Sequence, residues 1–443
     1  MSTYSKLLDH INALAIIDTH EHLVPANERP WGLDVLAEWL QHYFSCDLIS
    51  AGMSESELQA VRDPQRHIAE RWRIAAPYWH AAESTGYGRS LALAARDLYG
   101  IAAINAGTIE QLNEAFKAAH TQPGHARAVL REKSKIALII RDTMPVPYRE
   151  TDDLLVYTMH TEKFTSPAHY SQMRALGAEV GVEIHTLNDW MDAVRRQMEK
   201  YLNGQTRVVC LKCSLAYHRS LRFDKVTYAD AERAFNEFFA DGNLPDWRPP
   251  RKAAQALGDW MMHFTCRVAD DHKLVYQIHT GLQEGNGNVI YDSNPTLLTN
   301  LFLEYRNARF DLFHMGYPYV MEVGNLAKNF RNVFIDMCWG HIVSPEAARR
   351  ALVEWLDAVP ANKISAFGGD YCFVDGIYGH QLLARQNVAA ALAQKASDGS
   401  LSPARAEEIA TWVFVDNPRQ LFGLARFLDA PANANGPAGV KSA

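Results

Sequence analysis

The chain has 443 residues, of which 48% are hydrophobic and 21% charged, and it carries a formal net charge of −7. This composition can build a large buried core and excludes intrinsic disorder, and without clustered Lys and Arg the acidic balance excludes a phosphate-binding nucleic-acid surface. The length suits one elaborated barrel domain as well as two ordinary ones, so the architecture has to be read from the order of the elements.

The N-terminus, MSTYSKLLDHINALAIIDTHEH, has no basic stretch followed by an unbroken apolar one, and no later segment offers about 18 consecutive apolar residues. A cytoplasmic protein with no membrane partner is expected, and six cysteines in so long a chain make no disulfide framework. The run ALAIID is a short apolar segment that turns polar at its end, as a buried parallel strand does where it opens on a site. From about 30 to 131 the pattern becomes helical, as in VLAEWLQHYF and IEQLNEAFKAAH, which predicts a helical insertion after strand one.

Short β-type runs then recur: KIALIIRD, LLVYTM, RVVCLKC, KLVYQIH, RFDLFHM, NVFIDM and KISAFGGD. Helical stretches such as LNDWMDAVRRQMEKYL and PEAARRALVEWLDAV separate most of them, so the sheet is parallel and, with the first strand, has the eight strands that close a (β/α)8 TIM-type barrel. The stretch from about 218 to 272 is too long for a simple connection and reads as a second insertion after strand four. Residues 1–426 are expected to form one barrel domain and 427–443 a disordered Pro/Ala/Gly tail.

His20 and His22 lie two positions apart on the first strand, so their imidazoles point the same way and can grip one divalent ion. Three later strands also end on a metal-competent residue: His279 in QIHTG, His314 in FHMG and Asp370 in FGGDY. Barrel strand ends converge on one mouth, which brings these distant residues together. Asp370 suits metal ligation and the removal of a proton from a metal-activated water. Lys212, near the end of RVVCLKC, would be costly to bury as a bare ammonium and so should be paired, deprotonated or carboxylated, or should hold a substrate carboxylate. Cys210 and Cys213 spell C-x-x-C, but their odd offset puts the thiols on opposite faces of that strand. Tyr217, Arg219 and Arg222 follow in SLAYHRSLRFD and could hold an anion, while Tyr317, Trp339 and His341 follow strands six and seven, where substrate contacts would lie.

IIDTHEH, the strand-four lysine in LKCSLAYHRSL, IHTG, FHMGYP and FGGDY together resemble the amidohydrolase superfamily. Within it they are closest to the branch of nodulin-like amidohydrolases and more distantly similar to uronate isomerases. The resemblance implies a metal centre at the strand C-termini, with His20, His22 and Asp370 on a first ion, His279 and His314 either on a second ion or in catalytic contact with substrate, and, if Lys212 is carboxylated, the ligand set of a two-metal hydrolase. The expected cofactor is one or two divalent ions, zinc first, with manganese and iron as alternatives. The expected activity is hydrolysis of an amide, ester or lactone bond in a small carboxylate-bearing substrate by a homo-oligomer. The alternatives are a metal-dependent isomerase or decarboxylase of a sugar acid and, requiring an incomplete ligand set, a non-catalytic barrel scaffold.

Overall fold

The computed structural model describes residues 2–25, 28, 32–143, 152–240 and 247–429. Eight strands form one sheet in sequence order, all parallel: β1 (Ile16–Glu21), β2 (Ile136–Arg141), β3 (Leu155–His160), β4 (Val208–Cys213), β5 (Val275–Ile278), β6 (Arg309–Leu312), β7 (Val333–Asp336) and β8 (Ile364–Ser365). The eight apolar runs of the sequence are these eight strands. The fold is the (β/α)8 barrel with helices between the strands.

The seam between the last strand and the first is made by backbone bonds beyond the short β8 ladder. Thr19 N donates to Phe367 O (3.0 Å), Asp370 N to His20 O (2.9 Å) and His22 N to Tyr371 O (3.1 Å). The chain can pass this close to β1 only because Gly368 and Gly369 lack side chains: a Cβ on Gly369 would lie 1.7 Å from the Glu21 carboxylate. Inside the barrel, Ile17, Leu138, Ile140, Val156, Cys210 and Val275 make an apolar floor, closed from below by Leu421, Phe422 and Leu424. With side chains alternating along each strand, Val156, Thr158 and His160 climb the interior on β3, and Cys210 and Lys212 on β4, from apolar floor to polar mouth. Cys213 faces outward into the larger core between strands and helices, opposite Cys210.

The helices form for local reasons legible in the chain. Leu187–Leu202 buries Leu187, Trp190, Ala193, Val194 and Met198 on one stripe, and a capping box between Thr186 and Asp189 satisfies its first amides. Pro345–Ala358 starts with Ser344 as its cap and Pro345 in the first turn, where the missing N–H costs nothing. Between β1 and β2 a run of helices from Val35–Trp39 to His125–Ala128 packs over the barrel. It is pinned by a buried bidentate ion pair in which Arg71 donates to both carboxylate oxygens of Asp34, at 2.8 and 2.5 Å. The stretch 218–272 holds the helices Tyr228–Asn236 and Arg251–His272, the second being the crossover to β5. Phe427 and Leu428, on the helix Ala425–Leu428, pack against the barrel floor. Residues 430–443, most of the expected tail, lie outside the described residues.

The polar layer of the interior titrates with the fold. Asp311 on β6 and Asp336 on β7 are fully buried and hydrogen-bonded to each other; burial holds both carboxyls above the usual range, joined at Asp311 by repulsion from Asp336, so one proton is shared. Folded-state pKa values above the ordinary 3.8 mean that the pair's contribution to stability is complete below that value and is lost as pH rises through the raised folded values. Asp311→Asn removes one raised carboxyl and should therefore flatten the stability profile as pH rises through about 6, where Asp336 titrates, read as a smaller drop in urea midpoint than the parent shows. An identical drop in both proteins would refute the shared proton.

Candidate metal centre

At the C-terminal mouth, β1 brings His20 and His22 together with Asp370, delivered by the loop after β8. His20 Nε2 lies 3.3 Å from His22 Nε2 and 3.5 Å from Asp370 Oδ1, and His22 Nε2 lies 3.3 Å from the same oxygen. A tetrahedral ion with bonds of about 2.0–2.1 Å sets its ligand atoms about 3.3–3.4 Å apart, so this triangle already has the dimensions of a face of such a site. The donor chemistry fits as well. Burial, and then the Lys212 charge, holds His20 well below the usual imidazole range, which leaves it a neutral ligand. Asp370 stays ionised: its burial opposes this, but the hydrogen bond to His22 and the neighbouring His314 and His20 outweigh it. The Tyr43 hydroxyl donates to Asp370 Oδ2 at 2.6 Å, fixing the carboxylate so that Oδ1 faces the histidines.

Asp370 and His314 both take left-handed backbone conformations, with φ of 59° and 63°, which turn their side chains back over the mouth. His314 Nδ1 is 3.9 Å from Asp370 Oδ2, and its Nε2 is 2.9 Å from His279 Nδ1. The two rings are anchored to backbone by contacts from His279 Nε2 to Leu282 O (2.8 Å) and from His314 Nδ1 to Cys338 O (3.1 Å). Burial, and then the Lys212 charge, lowers the His279 imidazole to about 3. Lys212 is buried, with Nζ 3.4 Å from His20 Nε2 and 3.9 Å above the centre of the Phe313 ring.

Two of the expected substrate contacts sit beside these histidines. The Tyr217 ring centre is 4.7 Å from that of His279 and its hydroxyl accepts from Glu284 N, while Trp339 stands edge-on to His314 at 5.1 Å and stacks on Tyr43 at 4.6 Å. Others are not gathered there. Arg219 donates to Asp259 and Arg222 to Asp224, so their charges are neutralised within the protein. His341 is fully buried, its Nε2 2.8 Å from the carbonyl of Ala366, because the left-handed turn at Trp339 sends the next helix toward β8. The Tyr317 carbonyl accepts from Leu282 N, and its half-buried side chain packs on the apolar core.

The structure also brings in residues the sequence reading passed over. Asp142 follows β2 and His160 ends β3. Asp142 Oδ2 is 3.6 Å from His20 Nε2 and 3.3 Å from His160 Nε2, and Ser214 Oγ is 3.4 Å from the same His160 nitrogen. Both lie at strand ends, where the rule that found His279 and His314 applies equally. Tyr43 comes from the helical insertion and had no such signal.

Among the described residues no helix is long and apolar enough to cross a membrane. Over 165 residues the chain is 30% identical to Protein fluG of Emericella nidulans, a match that spans 35% of this chain and 19% of that protein's length. Three solved structures share the fold over nearly the whole chain. They are uronate isomerase from Thermotoga maritima (TM-score 0.75, 15% identity, 95% of this chain and 97% of that one), glucuronate isomerase from Caulobacter crescentus (0.76, 18%, 99% and 96%), and a protein described as a metal-dependent hydrolase from Lactobacillus casei (0.67, 17%, 95% and 98%). The Amidohydrolase family profile matches residues 153–424, more than half of the 443. With that match, the chain belongs to the amidohydrolase family of metal-dependent enzymes.

Proposed function

We propose that the chain is a metal-dependent hydrolase that cleaves an amide, ester or lactone bond in a small, polar, carboxylate-bearing molecule. The observation that carries this reading is the triangle of His20, His22 and Asp370, with edges of 3.3 to 3.5 Å, which supplies three protein ligands and leaves one position for solvent, the pattern of catalytic zinc sites. Zinc is the ion proposed. When bound, such an ion supplies Lewis acidity that lowers the pKa of a water toward neutrality. Asp370 then accepts the water proton and returns it to the leaving group, held in place by the Tyr43 hydrogen bond. His279 and His314 lie beside the triangle, where they would contact the substrate. Tyr217 and Trp339 flank the substrate.

A second reading has its own observation. The Asp142 and His160 pair, on the far side of His20, is a further proton-handling group that simple hydrolysis does not require. Together with the shared fold of the uronate isomerases, it favours proton transfer between carbons of a sugar acid. Incubation of the zinc-loaded enzyme with amides, esters and lactones on one side and uronates on the other separates the two. Bond cleavage in the first panel with no ketose formed in the second is the expected result, and the reverse overturns the proposal. Lys212→Ala tests the number of ions. Metal content should halve if a carbamate at Lys212 bridges two ions, whereas unchanged content with a raised KM would identify Lys212 as a substrate contact.

A further inference from the structure

Away from this centre, the helical insertion and the barrel meet at a second group of ligand-type side chains. The helix Ile109–His120 ends on a histidine, the turn TQPG reverses the chain through Gly124 at φ 82°, and the short helix His125–Ala128 begins on another. The two imidazole centres are thus 4.6 Å apart. Facing them is Asp375, fully buried in the first turn of the helix Val374–Ser397. Its Oδ2 accepts from Trp39 Nε1 at 2.9 Å and from the Tyr99 hydroxyl at 2.7 Å. Its Oδ1 lies 3.5 Å from His120 Nε2.

We propose that His120, His125 and Asp375 form a second divalent-cation site, of the zinc class and structural in role, that ties the helical insertion to the barrel. One ligand atom from each of the three lies within 4.8 Å of the other two. The His120 to Asp375 separation already matches a ligand-to-ligand edge of a tetrahedral site, about 3.3–3.4 Å, and rotation of the His125 side chain closes the remainder. Two nitrogens and one carboxylate oxygen suit zinc and its neighbours, whereas magnesium and calcium call for oxygen ligands throughout. The second carboxylate oxygen is held by an indole and a phenol, the outer-sphere arrangement that orients a ligating carboxylate. A cavity of about 600 Å³, lined by His120 and His125 with Tyr157 and Val374, gives an ion access and leaves room for a fourth, solvent ligand. The site shares no residue with the catalytic triangle. Asp375 opens the helix that follows the loop bearing Asp370, so an ion here would steady that loop from behind.

The test uses full-length protein carrying His20→Ala and His22→Ala, which removes the first centre from the count. After growth in zinc and dialysis, this protein should retain one equivalent of zinc by elemental analysis, and its cobalt-loaded form should show the visible absorption of tetrahedral cobalt. Adding His125→Gln should remove both the equivalent and the absorption and abolish the rise in melting temperature on zinc addition. If the double variant binds well under one equivalent and zinc leaves its melting unchanged, the cluster is a hydrogen-bonded His120–Asp375 pair and the proposal falls. Should His125→Gln fail to fold, His120→Gln takes its place in the double variant, and an equivalent and absorption that both survive that exchange refute the site. The outcome does not depend on the reaction catalysed at the barrel mouth, so failure of the hydrolase reading leaves this test intact.

Discussion

Exchanging His20 for alanine should yield a folded barrel that has lost the ion of the catalytic triangle and with it about a thousand-fold or more in kcat/KM. The size follows from the several kcal/mol of charge stabilisation an ion contributes in the transition state, since about 4 kcal/mol is three powers of ten. The fold should survive because the imidazole contacts ligand-type groups at the mouth, namely His22, Asp370, Asp142 and Lys212, while the packed floor lies below it. Elemental analysis, steady-state rates on whichever panel the parent turns over, and thermal melting check the three parts separately. Wild-type metal content at the centre, or collapse of the cooperative melt, would refute the assignment. His341→Ala is the matching control: its ring lies beneath the mouth on the carbonyl of Ala366, so it should cost stability and leave the metal in place.

The second large effect is on stability. Arg71→Met should destabilise the protein by about 3–5 kcal/mol, because it leaves the Asp34 carboxylate buried without its counter-charge. Both side chains are nearly inaccessible, at 2% and 5% exposure, and Arg71 also donates to the carbonyls of Val61 and Arg66, so no water replaces the lost bonds cheaply. Asp34 caps the helix Val35–Trp39 by accepting from Ala37 N, a role asparagine can keep. Asp34→Asn combined with Arg71→Met should therefore recover much of the loss, and urea denaturation of the two single variants and the double measures this. A cost under about 1 kcal/mol for Arg71→Met would mean the pair behaves as a surface ion pair. The sign with pH is set by Asp34. Burial alone would raise its pKa, but the Arg71 hydrogen bonds outweigh this and depress it, so the stabilisation is present above the ordinary carboxylate value and is lost as pH falls through the lower folded one.

The barrel was legible because each strand is a short apolar run between helix-period segments, and the mouth because polar residues at strand ends converge there. The same rule applied to the last residue of KIALIIRD and to the one after LLVYTM would have reached Asp142 and His160. What stayed hidden depends on contacts between remote parts of the chain. Nothing near Arg219 in sequence shows that Asp259, forty residues on, takes its charge. The direction of His341 is set by a left-handed residue at Trp339, a conformation that a tryptophan rarely adopts and that no local pattern announces. Tyr43 reaches Asp370 from the helical insertion, 327 positions away, so its part at the centre exists only in the assembled fold.

The seam between β1 and the loop after β8 also sets an order of events. Asp370 is made about 350 residues after His20 and His22, and the bonds from Thr19, His22 and Asp370 that bring them together close the last gap in the barrel. Until Asp370 is made, a nascent chain therefore holds His20 and His22 without the third member of the candidate ligand set. Tight metal capture would then be deferred until the circle of strands is shut, and a loaded ion would act as a lock applied after folding, not as a nucleus for it.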